Sequence, residues 1–197
     1  MAGCKKGLLT VEWIAMGYLL LTLVMMALTW SRLVNPAAML GLRAAFVAAT
    51  LAAWGIYRWR PCRLTMLLRI VVQMVFLSWW YPDTYELNRV LPNLDHVFAG
   101  WEQAVFGCQP SLLFSQVVPW GWFSELMCLG YVSYFPLMLI VYLYYFFQRY
   151  QELQLCALAL LGSFFAYYVI FILVPVTGPQ FYYLAVGTDQ IDQGIFP

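Results

Sequence analysis

The chain has 197 residues, of which 64% are hydrophobic, 19% aromatic and only 10% charged, with a formal net charge of +1. A soluble domain carries about 45–50% apolar and about 25% charged residues, so this chain lacks the charges that a water-facing surface needs. Disordered, collagen-like and nucleic-acid-binding classes are excluded, because the balance is near neutral and no basic run exceeds Lys5-Lys6. The expected fold class is all-α: a polytopic integral membrane helix bundle of about five spans with one interfacial amphipathic helix.

A crossing of about 30 Å of hydrocarbon takes roughly 20 mostly apolar residues. In chain order, the first such stretch is Val11–Val34, with Trp30 towards its far end. It is longer than a signal-peptide core and reads as an uncleaved anchor. The second, Ala37–Tyr57, opens on Asn35-Pro36, a good helix start. The third, Leu64–Tyr81, ends in Trp79-Trp80-Tyr81, an expected interfacial aromatic belt. Phe123–Phe147 is the fourth and Leu153–Pro175 the fifth. The chain therefore divides at residue 82: residues 1–82 hold three spans, and residues 83–197 hold the interfacial helix, two spans and a Gly-Pro turn.

Lys and Arg bias short cytoplasmic loops. A cytoplasmic N-terminus puts Lys5, Lys6, Arg58, Arg60, Arg63 and Arg149 on one side. Asp83, Glu86, Asp95, Glu102, Glu125, Asp189 and Asp192 then gather on the other, with the tail extracytoplasmic. Small residues form two stripes, Gly41/Ala45/Ala49/Ala52 and Ala159/Gly162/Ser163/Ala166, expected to pack the bundle. Arg43 and Arg69 lie inside spans, where each either snorkels to an interface or pairs with an acid in the bundle. Arg69 shares a helix face with Gln73.

Within Asn93–Gly107, Leu94, Val97, Phe98, Trp101, Val105 and Phe106 recur at helical spacing, with Asp95, Glu102 and Gln103 largely on the other side. This is the pattern of a helix lying in the interface, either roofing the bundle or shaping a lipid access path. Pro136 is expected to kink the fourth span. Tyr131, Tyr134 and Phe135 share a face there, and two hydroxyls near a membrane surface can orient a polar head group. After the fifth span, Val174-Pro175-Val176-Thr177-Gly178-Pro179-Gln180-Phe181-Tyr182 makes a tight turn. Its backbone N–H groups either cradle an anion or simply end the helix. The five cysteines are scattered without a C-x-x-C pair, and His96 is the only histidine. No metal and no disulfide framework is expected.

The fragments Leu94-Asp95 to Phe106-Gly107, Pro110-Ser111, Gly130-Tyr131-x-Ser133-Tyr134-Phe135 and Val174-Pro175-x-x-Gly178-Pro179-x-x-Tyr182 together resemble the type-2 phosphatidic acid phosphatase superfamily. The closer likeness is to its branch containing the inositol phosphorylceramide synthases. That resemblance implies an all-helical membrane enzyme acting on phosphorylated lipid at the extracytoplasmic face. A histidine attacks phosphorus to give a phosphohistidine, and a second histidine, oriented by an aspartate, is acid and base, with no cofactor. Gly178, Pro179, Gln180, Tyr182, Tyr131 and Tyr134 become candidate contacts for a phosphate or head group.

The chain departs from the family where the chemistry sits. Neither a Pro-Ser-x-His nor a His-x-x-x-Asp stretch is present, and His96 is followed four residues later by Gly100. The turn also lacks the family's usual Lys and Arg. The resemblance thus implies a phosphatase or phosphotransferase without its catalytic half. Its expected partners are a membrane lipid, phosphorylated in that reading, and a missing C-terminal segment or a partner helix bundle. The alternative is a non-catalytic membrane scaffold or lipid-binding interaction protein. A small transporter is less favoured, since charges hug the interfaces and Pro136 is the sole candidate break.

Overall fold

The computed structural model describes residues 7–178 and Tyr182. Among them the chain is helical and contains no strand. Three long helices come first: α1 (Thr10–Thr29, prolonged by a 3-10 turn at Trp30–Arg32), α2 (Pro36–Trp59) and α3 (Arg63–Asn88). Two short ones follow, α4 (Asp95–Phe106) and α5 (Pro110–Val117), and then α6 (Gly121–Gln148) and α7 (Leu153–Leu173). Five of the seven are long and apolar enough to cross a membrane. The protein is a multi-pass, all-α membrane helix bundle.

Local chemistry sets the helix ends. Asn35 accepts the Ala38 N–H at 3.2 Å, with Pro36 in the first turn of α2. The Cys62 N–H donates to the Thr65 hydroxyl at 3.0 Å where α3 begins. Gly107 ends α4 in the left-handed region at φ 68°, a conformation that glycine enters without a Cβ penalty. The Trp79-Trp80-Tyr81 belt was expected to close α3, yet the helix continues through Pro82 for seven more residues to Asn88. Pro82 withholds one backbone N–H, but Trp80, Asp83, Thr84 and Leu87 remain on a buried face and hold the helix together.

Two compact units emerge from the packing. The first takes the chain up to Val90 and adds Met138–Leu173, so that α1, α2, α3, the end of α6 and α7 form one bundle. Within it α3 lies against both α2 and α7, and α1 against α7. Tyr18 meets Trp80 edge-on at 5.7 Å and Phe165 at 5.2 Å, while Phe46 meets Trp80 at 5.4 Å. The second unit takes Leu91–Leu137 and the segment from Val174 onward. The division therefore follows helix packing and not chain order: the end of α3 stays with the bundle, and α6 changes unit just after Pro136.

The small-residue stripes are not in the core. Gly41, Ala45 and Ala52 are exposed and Ala49 is half-buried; Ala159, Ser163 and Ala166 are exposed as well, and only Gly162, half-buried, faces α1 at Ile14. The buried face of α2 instead carries Met39, Arg43, Phe46, Thr50, Ala53 and Tyr57. Large and polar side chains won that face because α3 offers them an arginine-matching acid, a glutamine and aromatic rings.

Candidate functional site

Asp95 opens α4 in the second unit and is buried. Its carboxylate gathers donors from both ends of that unit's sequence. The Thr177 N–H lies 3.0 Å from each carboxylate oxygen, and the Gly178 N–H donates to Oδ1 at 3.0 Å. The Thr177 hydroxyl and, at 2.7 Å, the Asn93 amide donate to Oδ2. Asn93 returns its own Oδ1 to the Asp95 N–H at 2.8 Å, and the Leu94 N–H donates to the Pro175 carbonyl at 2.9 Å. The result is a clasp that fastens the turn after α7 to the start of α4.

Burial alone pushes the Asp95 carboxyl up. The Thr177 hydroxyl, the Asn93 amide and the Thr177 and Gly178 N–H groups outweigh it and hold the pKa below its ordinary 3.8. Chemically this is an anion cradle with a resident anion: the amides expected to face a phosphate here face the chain's own carboxylate. Gly178 sits at φ +94°, where an L side chain is strained, and its carbonyl accepts the Tyr182 N–H at 3.0 Å. Gly178 and Tyr182 are thus joined through the backbone. Pro179 and Gln180 lie outside the described residues.

The remaining candidates are on α6. Tyr131 is 79% exposed and Tyr134 is also exposed, one turn apart on the helix. α4 turns its apolar residues outward: Phe98, Trp101, Val105 and Phe106 are exposed, whereas Glu102 and Gln103 are half-buried. Gln103 reaches the Gly107 carbonyl at 2.9 Å, and buried Gln109 donates to the Ala99 carbonyl at 2.9 Å. Such an inverted face suits a helix whose outer solvent is acyl chain and not water. His96 is exposed, and no cluster of three or more metal-ligating side chains occurs among the described residues.

Both intramembrane arginines pair with acids. Arg69 donates through Nε to Glu12 Oε1 at 2.9 Å and through Nη2 to Oε2 at 2.5 Å, both side chains being 0% exposed. Glu12 also accepts the Leu9 N–H at 2.7 Å, capping α1. Arg43 grips Asp83 with two bonds of 3.1 and 2.6 Å and lies over the Trp80 ring at 5.4 Å. Glu12 and the side-chain roles of Asn93 and Thr177 escaped the sequence reading. A local signal existed for Asn93, in Asn93-x-Asp95 at a helix start, whereas Glu12 follows Leu9, which is not a capping residue, and had none.

Compared with known proteins, the chain matches no family model, no curated protein and no solved structure.

Proposed function

We propose that this chain is the head-group-engaging part of a membrane lipid phosphatase or phosphotransferase. The enzyme acts on phosphorylated lipid through a phosphohistidine whose histidines lie outside this sequence. One observation carries the reading. Leu94-Asp95 and Pro175-Thr177-Gly178, two of the fragments in which the resemblance resides, lie about eighty residues apart and are hydrogen-bonded into one clasp. The outward apolar face of α4 supports a unit seated at the lipid interface. The Lys and Arg distribution supports a cytoplasmic N-terminus with the clasp on the opposite side.

The chain alone should not turn over phosphatidic acid, since it carries one histidine where the scheme needs two. A photoactivatable phosphatidic acid in nanodiscs should crosslink beside Gly178 and Tyr182, and inorganic phosphate should compete. Crosslinking spread evenly over α1 to α7, indifferent to phosphate, would sink the reading. In a protein completed with the histidine segment, Gly178→Val should abolish turnover, and wild-type rates in that variant would remove the turn from the site. For orientation, an impermeant thiol reagent added outside should reach a cysteine placed at Gln180 and spare exposed Cys62, beside Arg60 and Arg63. The opposite pattern reverses the topology.

A second reading, a non-catalytic lipid-binding scaffold, is favoured by the resident Asp95 carboxylate, which already takes the turn's amides. Phosphate-sensitive crosslinking without turnover in any completed protein would select it.

A further inference from the structure

The buried face of α3 descends through Arg69, Gln73, Leu77, Trp80 and Asp83, roughly 21 Å of helix at about 1.5 Å per residue. Along this seam five side-chain atoms have no hydrogen-bonding partner among the described residues: Arg69 Nη1, Gln73 Oε1, Trp80 Nε1, and facing them Tyr18 Oη and Arg43 Nε. Their residues are between 0% and 4% exposed. A polar atom sealed from solvent without a partner is strongly disfavoured. Three on the face of α3 and two opposite it mark positions that call for a partner beyond the described residues.

The five fall into two groups of different chemistry. Arg69 Nη1 is a donor and Gln73 Oε1 an acceptor. They belong to residues one turn apart on one face, where Cβ atoms are about 5–6 Å apart. A single water can accept from the first and donate to the second. The other three surround Trp80: the Tyr18 ring stands edge-on at 5.7 Å and the Arg43 guanidinium lies over its face at 5.4 Å. Two of these atoms only donate, and the Tyr18 hydroxyl can do so, which calls for an acceptor. An anion is disfavoured there because Asp83 already neutralises Arg43 at 2.6 Å. Between the groups, Gln73 Nε2 donates to Thr50 Oγ1 at 3.1 Å and the Tyr168 hydroxyl donates to the Leu77 carbonyl at 3.0 Å.

We propose that the polar seam joining α1, α2 and α3 binds internal water at two places, one bridging Arg69 to Gln73 and one beside Trp80, where water accepts from Tyr18, Trp80 and Arg43, no more than two donors to each water oxygen. Buried water of this kind takes two to four polar partners and forms part of the structure. The inference stands on the bundle alone and is independent of the lipid chemistry proposed above.

Pulsed radiolysis of the folded protein in nanodiscs tests it. Water split in place oxidises the nearest reactive side chain, and mixing with oxygen-18 water times its exchange. Tyr18 and Trp80 should be oxidised at the second site. Tyr57, whose ring lies 5.1 Å from the Arg69 guanidinium, should be oxidised at the first. At all three, oxygen-18 should enter several-fold more slowly than at exposed Trp59. Gln73→Leu should lower the Tyr57 signal several-fold and leave Trp80 unchanged, and Tyr18→Phe should do the reverse. Absence of oxidation at these three aromatics in the folded wild-type protein overturns the proposal, as do signals that ignore both substitutions. Should either variant fail to fold, the wild-type pattern and its exchange rates decide alone.

Discussion

Glu12 and Asp95 are both carboxylates withdrawn from solvent, and the chain satisfies them in opposite ways. Glu12, inside the bundle, is met by the Arg69 guanidinium together with one backbone N–H. Asp95, outside the spans, is met by two backbone N–H groups, a hydroxyl and an amide, all neutral, with no ion pair among the described residues. The contrast follows from the surroundings. A charge among apolar helices demands an opposite charge close by, whereas a carboxylate at a helix start gains from aligned N–H groups and from the positive end of the helix dipole. One arrangement couples two spans; the other fastens a turn.

The contrast can be broken first at its stronger side. Arg69→Met leaves Glu12 buried without its cation and should cost about 3–5 kcal/mol of unfolding free energy in detergent. Adding Glu12→Gln to that variant should restore a large part of the loss. A single variant within experimental error of wild type would mean that the pair does not hold α1 to α3. Asp95→Ala strands neutral donors only, so its cost should be smaller, about 1–3 kcal/mol. That cost should appear locally as faster hydrogen exchange at the Thr177 and Gly178 amides, with the bundle unaffected.

Acid should test the clasp as well. The Asp95 carboxyl is depressed below 3.8 in the folded protein, so its contribution is complete above the unfolded value and is lost as pH falls through the lower folded value. Between about pH 6 and about pH 2, protection of the Thr177 and Gly178 amides, corrected for intrinsic exchange, should collapse. Protection that persists throughout would show that the clasp does not need its charge. The smallest effect belongs to Gly178→Ala: none of the described residues lies within 4 Å of the added Cβ, so among them only the left-handed backbone resists, at about 1–2 kcal/mol. A Gly178→Ala protein that keeps full amide protection would leave Asp95, and not the backbone turn, as the determinant.

Much of the membrane architecture was readable from hydropathy, because twenty-residue apolar runs admit few structures in lipid. Each of the five expected spans overlaps a long apolar helix, and α4 forms where its periodicity placed it. Inward and outward faces were harder to read. In lipid both sides of a helix are apolar, so hydrophobic periodicity does not point to the core. That is why Gly41 and Ala45 were expected inside and stand outside, and why Trp80 was expected at the rim and is fully buried. The buried faces are marked instead by their polar members, Glu12, Arg43, Arg69, Gln73 and Asp83. Asp83 looked like a surface charge because the ruling signal, its pairing with Arg43 forty residues earlier, is not local. At the candidate site, Gly178 was legible from its turn, but the donors collected by Asp95 required the fold.

α3 is the least apolar of the five spans, with mean hydropathy 1.5, and it alone carries one member of each buried ion pair. Arg69 lies towards its start and Asp83 towards its end, each opposed to the helix's own dipole. Each lone charge would weigh against insertion by up to about 2.5–3.5 kcal/mol near a helix centre. Glu12 and Arg43 sit on α1 and α2, which leave the ribosome before α3. The order of synthesis therefore delivers each counter-charge to the bilayer before the helix that needs it, and α3 enters a membrane already furnished with both of its partners.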